Sequence, residues 1–255
     1  MVAFERAGDL KPESVHIKGM FFGDPGSGKT WAASTAPDCL VLLTEQNGLT
    51  SIRNSNRDAY VVHCPDIHAV RKYMTMAHKD QLKEHGIRTI VIDSLTEVQR
   101  LFKDEILAAK GSRDSLFTLQ DWGILNEKMR MFMRALRVVP YHVICTALAQ
   151  TMIEESTGVR YVLPCFEGKK VPAEVGQYFN FVGYMAKKSV VGEDGEQQVL
   201  HRALLSGGER YMTKPVHPLE GVLEVDLSTW FDRIINSISE KPKQPRRKPK
   251  SRGMI

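Results

Sequence analysis

Gly19-Met20-Phe21-Phe22-Gly23-Asp24-Pro25-Gly26-Ser27-Gly28-Lys29-Thr30-Trp31-Ala32-Ala33-Ser34 is the stretch on which the fold turns. A short apolar run, a glycine-rich bend and a segment able to form helix follow one another, which reads as strand, turn, helix. Gly23 to Thr30 meets the pattern Gly-x-x-x-x-Gly-Lys-Ser/Thr in full. Glycines at 23, 26 and 28 let the backbone bend until successive amides converge on an anion, and the helix that follows adds the positive end of its dipole. In a loop of this kind the lysine reaches the β- and γ-phosphates of a nucleoside triphosphate and the hydroxyl ligates magnesium. The sequence therefore predicts ATP with Mg2+, held by Gly23, Asp24, Pro25, Gly26, Ser27, Gly28, Lys29 and Thr30.

Around this loop, Val- and Ile-rich runs alternate with amphipathic stretches, the pattern of a mainly parallel sheet flanked by helices. Strands are expected over His16 to Phe22, Cys39 to Thr44, Tyr60 to Cys64, Arg88 to Ile92 and Tyr141 to Ala147. Core-facing helical stripes follow Asp66 (Ile67, Val70, Met74), then run through Leu95, Val98, Leu101, Phe102 and Ile106, and through Leu119, Trp122, Leu125, Met129, Met133 and Leu136. Phe181 to Lys188 and Gln198 to Leu205, around Gly192-Glu193-Asp194-Gly195, read as an antiparallel hairpin added to the sheet, and Leu227 to Ile238 as a closing helix. The expected organisation is an N-terminal segment 1–13, an ATPase core 14–239 and a basic tail 240–255 too poor in apolar residues to fold.

Two acidic residues gain meaning from the loop. Asp93 ends the apolar run Thr89-Ile90-Val91-Ile92, where a carboxylate can join the magnesium shell, so Thr30 and Asp93 are the predicted metal residues. Glu45 follows Cys39-Leu40-Val41-Leu42-Leu43-Thr44. Strand C-terminal ends converge on the ligand crevice of a parallel sheet, which places Glu45 where hydrolysis needs a group to orient and deprotonate water.

Composition narrows the setting. At 255 residues and 42% apolar content the chain can bury a substantial core, and no apolar run approaches the roughly 20 residues of a membrane span. Met1 to Leu10 lacks the apolar stretch of a secretory signal, so the expected place is the cytoplasm, without membrane contact. Cys39, Cys64, Cys145 and Cys165 are scattered and lack zinc-ligand spacing. The net charge of +5 is concentrated in Lys241, Lys243, Arg246, Arg247, Lys248, Lys250 and Arg252, and the rest holds 28 basic against 30 acidic residues. Attraction for a polyanion, strongly dependent on salt, is thus expected of the tail rather than the core.

With phosphate loop, Glu45 and Asp93-Ser94 in this order, the chain resembles the RecA-like ATPases, and among them the short phage-encoded RecA-core proteins of recombination and single-strand annealing. The resemblance implies a RecA-like fold, ATP hydrolysis stimulated by single-stranded DNA, a filament or ring of identical subunits, and, for a phage protein, the host cytoplasm. It implies Glu45 as the catalytic carboxylate beside Lys29. It also implies basic residues that complete a neighbouring subunit's site, with Lys169, Lys170 and Lys214 as candidates. DNA-binding loops would fall at Lys110 to Ser115 and Gln150 to Lys169, and the tail could meet DNA or a single-strand-binding protein. One position departs from the family: Ala147 stands where Gln or His often senses the γ-phosphate, with Thr146 and Gln150 as substitutes. That departure keeps an alternative open, a loader or adaptor whose assembly is gated by ATP without DNA-stimulated turnover.

Overall fold

In a computed structural model of the protein, residues 15–45, 47–111, 116–191 and 197–239 are described. The expected N-terminal segment, most of the loop after Lys110, the hairpin turn at 192–195 and the basic tail lie outside the described residues. The chain runs β1 (Lys18–Gly23), α1 (Lys29–Ser34), β2 (Cys39–Leu43), α2 (Leu49–Ser55), β3 (Tyr60–His63), α3 (Ile67–His78), β4 (Thr89–Asp93), α4 (Leu95–Ala109) and α5 (Leu119–Val138). It continues through β5 (His142–Ile153), β6 (Arg160–Pro164), α6 (Lys170–Glu174), β7 (Phe181–Val191), β8 (Gln197–Leu204), β9 (Val222–Glu224) and α7 (Leu227–Ser239).

The described strands form one nine-stranded sheet in the order β3-β2-β4-β5-β1-β7-β8-β9, with β6 paired to β5. From β3 to β7 the neighbours are parallel; β8 and β9 extend the sheet antiparallel, and β6 folds back antiparallel on β5. The fold is α/β, as expected.

Side chains of a strand alternate between the two faces, and this chain fills both. Met20, Phe22, Leu40, Leu42, Ile90, Ile92, Val143 and Cys145 face α3, α4 and α5. Phe21, Val41, Leu43, Val91 and Ile144 face α1, α2 and α7. Burial on both sides explains why these strands read as continuous apolar runs.

The helices α3, α4 and α5 start where short polar side chains hold free amides. Asp66 accepts from Ala69 N at 2.8 Å, Ser94 accepts from Glu97 N at 3.3 Å, and Thr118 forms a reciprocal capping box with Asp121. Two expectations are corrected. Leu119, expected in the core, is 92% exposed, because the α5 stripe reaches the core at Trp122, which is partly buried, and is fully buried from Leu125 onward. Gln150 to Lys169, expected as a loop, contains a β-hairpin: β5 continues to Ile153 and pairs with β6 from Ala149↔Pro164 to Ile153↔Arg160.

Candidate active site

The phosphate loop joins β1 to α1 at the C-terminal end of the parallel strands, where β1 lies between β5 and β7. Ligands of open α/β sheets bind beyond these ends. Gly28 takes φ 92°, a left-handed conformation that L side chains avoid. Lys29 is buried, and its Nζ donates to Gly23 O at 2.9 Å and to Asp24 O at 2.8 Å. Burial lowers its pKa, opposed by the nearby carboxylates of Asp93, Glu45 and Asp24. Ser27 Oγ, also buried in the loop, has no hydrogen-bond partner. Buried polar atoms normally have one, so an unpartnered hydroxyl and a desolvated ammonium suit an anion with oxygens to offer.

Strand order brings the second part of the site to the first. Asp93 ends β4, and its neighbours β2 and β5 deliver Thr44 and Thr146 beside it. Thr30 Oγ1 donates to Asp93 Oδ2 at 2.8 Å, while Thr146 Oγ1 donates to Oδ1. Asp93 is 6% exposed, and desolvation raises its pKa; the two hydroxyls oppose the shift, Glu45 adds to it, and Lys29 counters it. A buried carboxylate with a hydroxyl at hydrogen-bond distance is a hard-oxygen pair of the kind that suits Mg2+, which takes few protein ligands and shares the rest with phosphate and water.

Glu45 is fixed by hydroxyl chemistry at the ends of β2 and β4. Thr44 N and Thr44 Oγ1 both donate to Asp93 O at 2.9 Å, and Ser94 N donates back to Thr44 Oγ1 at 2.9 Å. Ser94 Oγ then donates to Glu45 Oε1 at 2.6 Å while capping α4. The carboxylate itself stays exposed. At Gly48 a Cβ would come within 2.7 Å of Leu43 Cδ1 and 3.3 Å of Asp93 Oδ2, so the chain can pass this close to Asp93 only as glycine.

Lys29, Thr30, Glu45, Gly48, Asp93 and Ser94 line a cleft of about 470 Å³ that also includes Trp31, residues of α2, Leu148 and His201. A larger cleft, about 840 Å³, opens at the opposite strand ends around His16, Arg88, Pro140 and His142 and contains none of the loop or its partners. The smaller cleft carries the chemistry.

Residues 16–215 match the AAA domain family. The chain belongs to that family. As an AAA domain of the P-loop ATPase type, it is a nucleotide-binding protein of a group that uses nucleotide and usually Mg2+. A comparison with curated proteins finds no match.

The AAA domain thus gathers Lys29, Thr30, Glu45 and Asp93 in one cleft. It does not bring the other predicted cations there. Lys169 and Lys170 begin α6, both exposed, and Lys214 Nζ donates to Phe179 O at 2.6 Å. Ala147 is fully buried, whereas Gln150 is half-exposed. Of the groups found here and not predicted as site residues, Ser94 had a readable signal, a capping residue after a strand-end aspartate. Thr146, expected only as a substitute sensor beside Ala147, instead donates to Asp93. Thr44 and His201 had no such signal, because their placement depends on strand register.

Proposed function

We propose that the protein is an ATP-hydrolysing recombination protein, phage-encoded, that assembles as a homo-oligomer on single-stranded DNA and promotes annealing or pairing of strands. The hydrolytic half rests on one observation above the others: Glu45 is held by Ser94 at 2.6 Å, beside Asp93 and across the cleft from the phosphate loop. The loop amides and Lys29 would hold the phosphates, and Thr30 with Asp93 would hold the metal. When bound, Mg2+ neutralises charge on the phosphoryl oxygens. Glu45 orients the attacking water and takes its proton, and Ser94 keeps the carboxylate aimed while leaving Oε2 to act.

The DNA half is supported by the resemblance in the order and spacing of Glu45 and Asp93-Ser94, and by the uncompensated cations of Lys241 to Arg252. Lys169 and Lys170 are exposed outside their own chain's cleft, as residues serving a neighbouring subunit would be, whereas Lys214 would have to leave Phe179 O to do so. The buried methyl of Ala147 favours a second reading, the ATP-gated loader or adaptor, since it leaves no polar group at that position to sense the phosphate.

The Glu45→Gln variant tests the hydrolytic assignment. ATP binding should persist while turnover falls by about two to four orders of magnitude. Wild-type turnover in this variant would refute Glu45 as the base.

A further inference from the structure

Besides α1, the pair β7 and β8 touches the phosphate loop. Lys187 on β7 and His201 on β8 are directly opposed in the antiparallel register, so their side chains leave the same face of the sheet. That face meets the loop. His201 Nδ1 lies 2.9 Å from Ser27 O; a carbonyl oxygen only accepts, so Nδ1 carries the ring proton at this contact. The imidazole also stacks on Trp31, with centroids 6.0 Å apart and planes 28° from parallel. It sits so tightly on the loop that a Cβ at Gly28 would fall 2.3 Å from Nδ1. Gly28 is therefore required twice, by its own φ and by the strand pair packed against it.

Lys187 occupies the next position along the loop. Its Nζ lies 3.4 Å from where a Cβ of Gly26 would stand, and no ion pair holds it among the described residues. Gly26 is one of the residues whose backbone wraps the phosphates in a loop of this pattern. An ammonium beside that glycine, on a strand pair fastened to the loop through His201 and its stacking on Trp31, lies against a loop built to hold phosphate. Lys29, by contrast, is spent partly on the carbonyls of Gly23 and Asp24.

We propose that Lys187 is a second phosphate-contacting cation of the nucleotide site, delivered by the same chain from β7, and that its ligand is the phosphate chain of a nucleoside triphosphate. The proposal rests on the reading of Gly23 to Thr30 as the nucleotide loop. It assigns the β7–β8 pair a direct part in binding, beyond that of a sheet extension.

The test is MgATP affinity of the full-length protein, by titration calorimetry, for the wild type and the variants Lys187→Ala, Lys187→Arg and Lys29→Ala. Loss of a charge-assisted contact should raise the Kd of Lys187→Ala about tenfold or more, with a shallower salt dependence than the wild type. Lys187→Arg keeps the charge and should return the Kd to within about threefold of wild type. The thermal midpoint without nucleotide should be unchanged, since Lys187 is exposed. A Kd for Lys187→Ala within about twofold of wild type, while Lys29→Ala loses binding, overturns the proposal and leaves the nucleotide site standing. If Lys29→Ala also binds as the wild type does, the reading of the loop itself fails, and the proposal with it.

Discussion

Asp93 and Glu45 show how much a few hydroxyls decide. Thr30, Thr146, Thr44 and Ser94 convert two strand ends into a site by bonding to the carboxylates or to the backbone between them. A different hydrogen bond makes the molecule sensitive to acid. His142 Nδ1 accepts from Ile17 N at 3.0 Å, which only a neutral ring can do. Burial, reinforced by the charges of His16, Lys18 and Arg88, lowers its pKa from 6.5 to about 4. The unfolded chain therefore binds the extra proton first, so this contribution to stability is complete above about pH 6.5 and is lost as pH falls toward 4. Urea unfolding between pH 7 and 4.5 should lose at most about 1.4 kcal/mol per pH unit through this group. His142→Gln, which has no titrating proton, should flatten that slope, and equal slopes would refute the assignment.

At the level of elements, α7 closes one face of the sheet with Leu227, Trp230, Phe231 and Ile234. Trp230 is 2% exposed. It lies 5.8 Å from the Phe21 ring and 5.7 Å from the Phe181 ring, and its Nε1 donates to Glu224 O at 3.2 Å. Trp230→Ala should cost about 3–5 kcal/mol in denaturant unfolding; a loss below about 1 kcal/mol would mean that α7 does not close this face. The element was legible because its apolar spacing is strong, as were the parallel strands, each an apolar run buried on both faces. What was not legible follows from physics too. β9 is three residues long, α2 and α6 are seven and five, too short for a periodic signal. β6 is half-exposed and takes its shape from pairing with β5. The same limit explains the site: Gly23 to Thr30 announce themselves locally, whereas His201 reaches the loop from 174 residues away through strand register.

For the whole molecule, charge is divided between a nearly neutral body and a cationic stretch from Lys241 to Arg252. None of the helices among the described residues is long and apolar enough to cross a membrane. The body supplies a nucleotide cleft, and on the proposed reading the basic stretch would add a long-range attraction for phosphate that salt screens. If ATP turnover serves strand pairing, DNA must alter it. The direct measurement is the ATPase rate of the full-length protein with and without single-stranded DNA across a series of salt concentrations. A DNA-dependent ATPase will turn over severalfold faster with DNA at low salt, and the gain will fade as salt rises; turnover indifferent to DNA at every salt would contradict a recombination role and favour the gated adaptor.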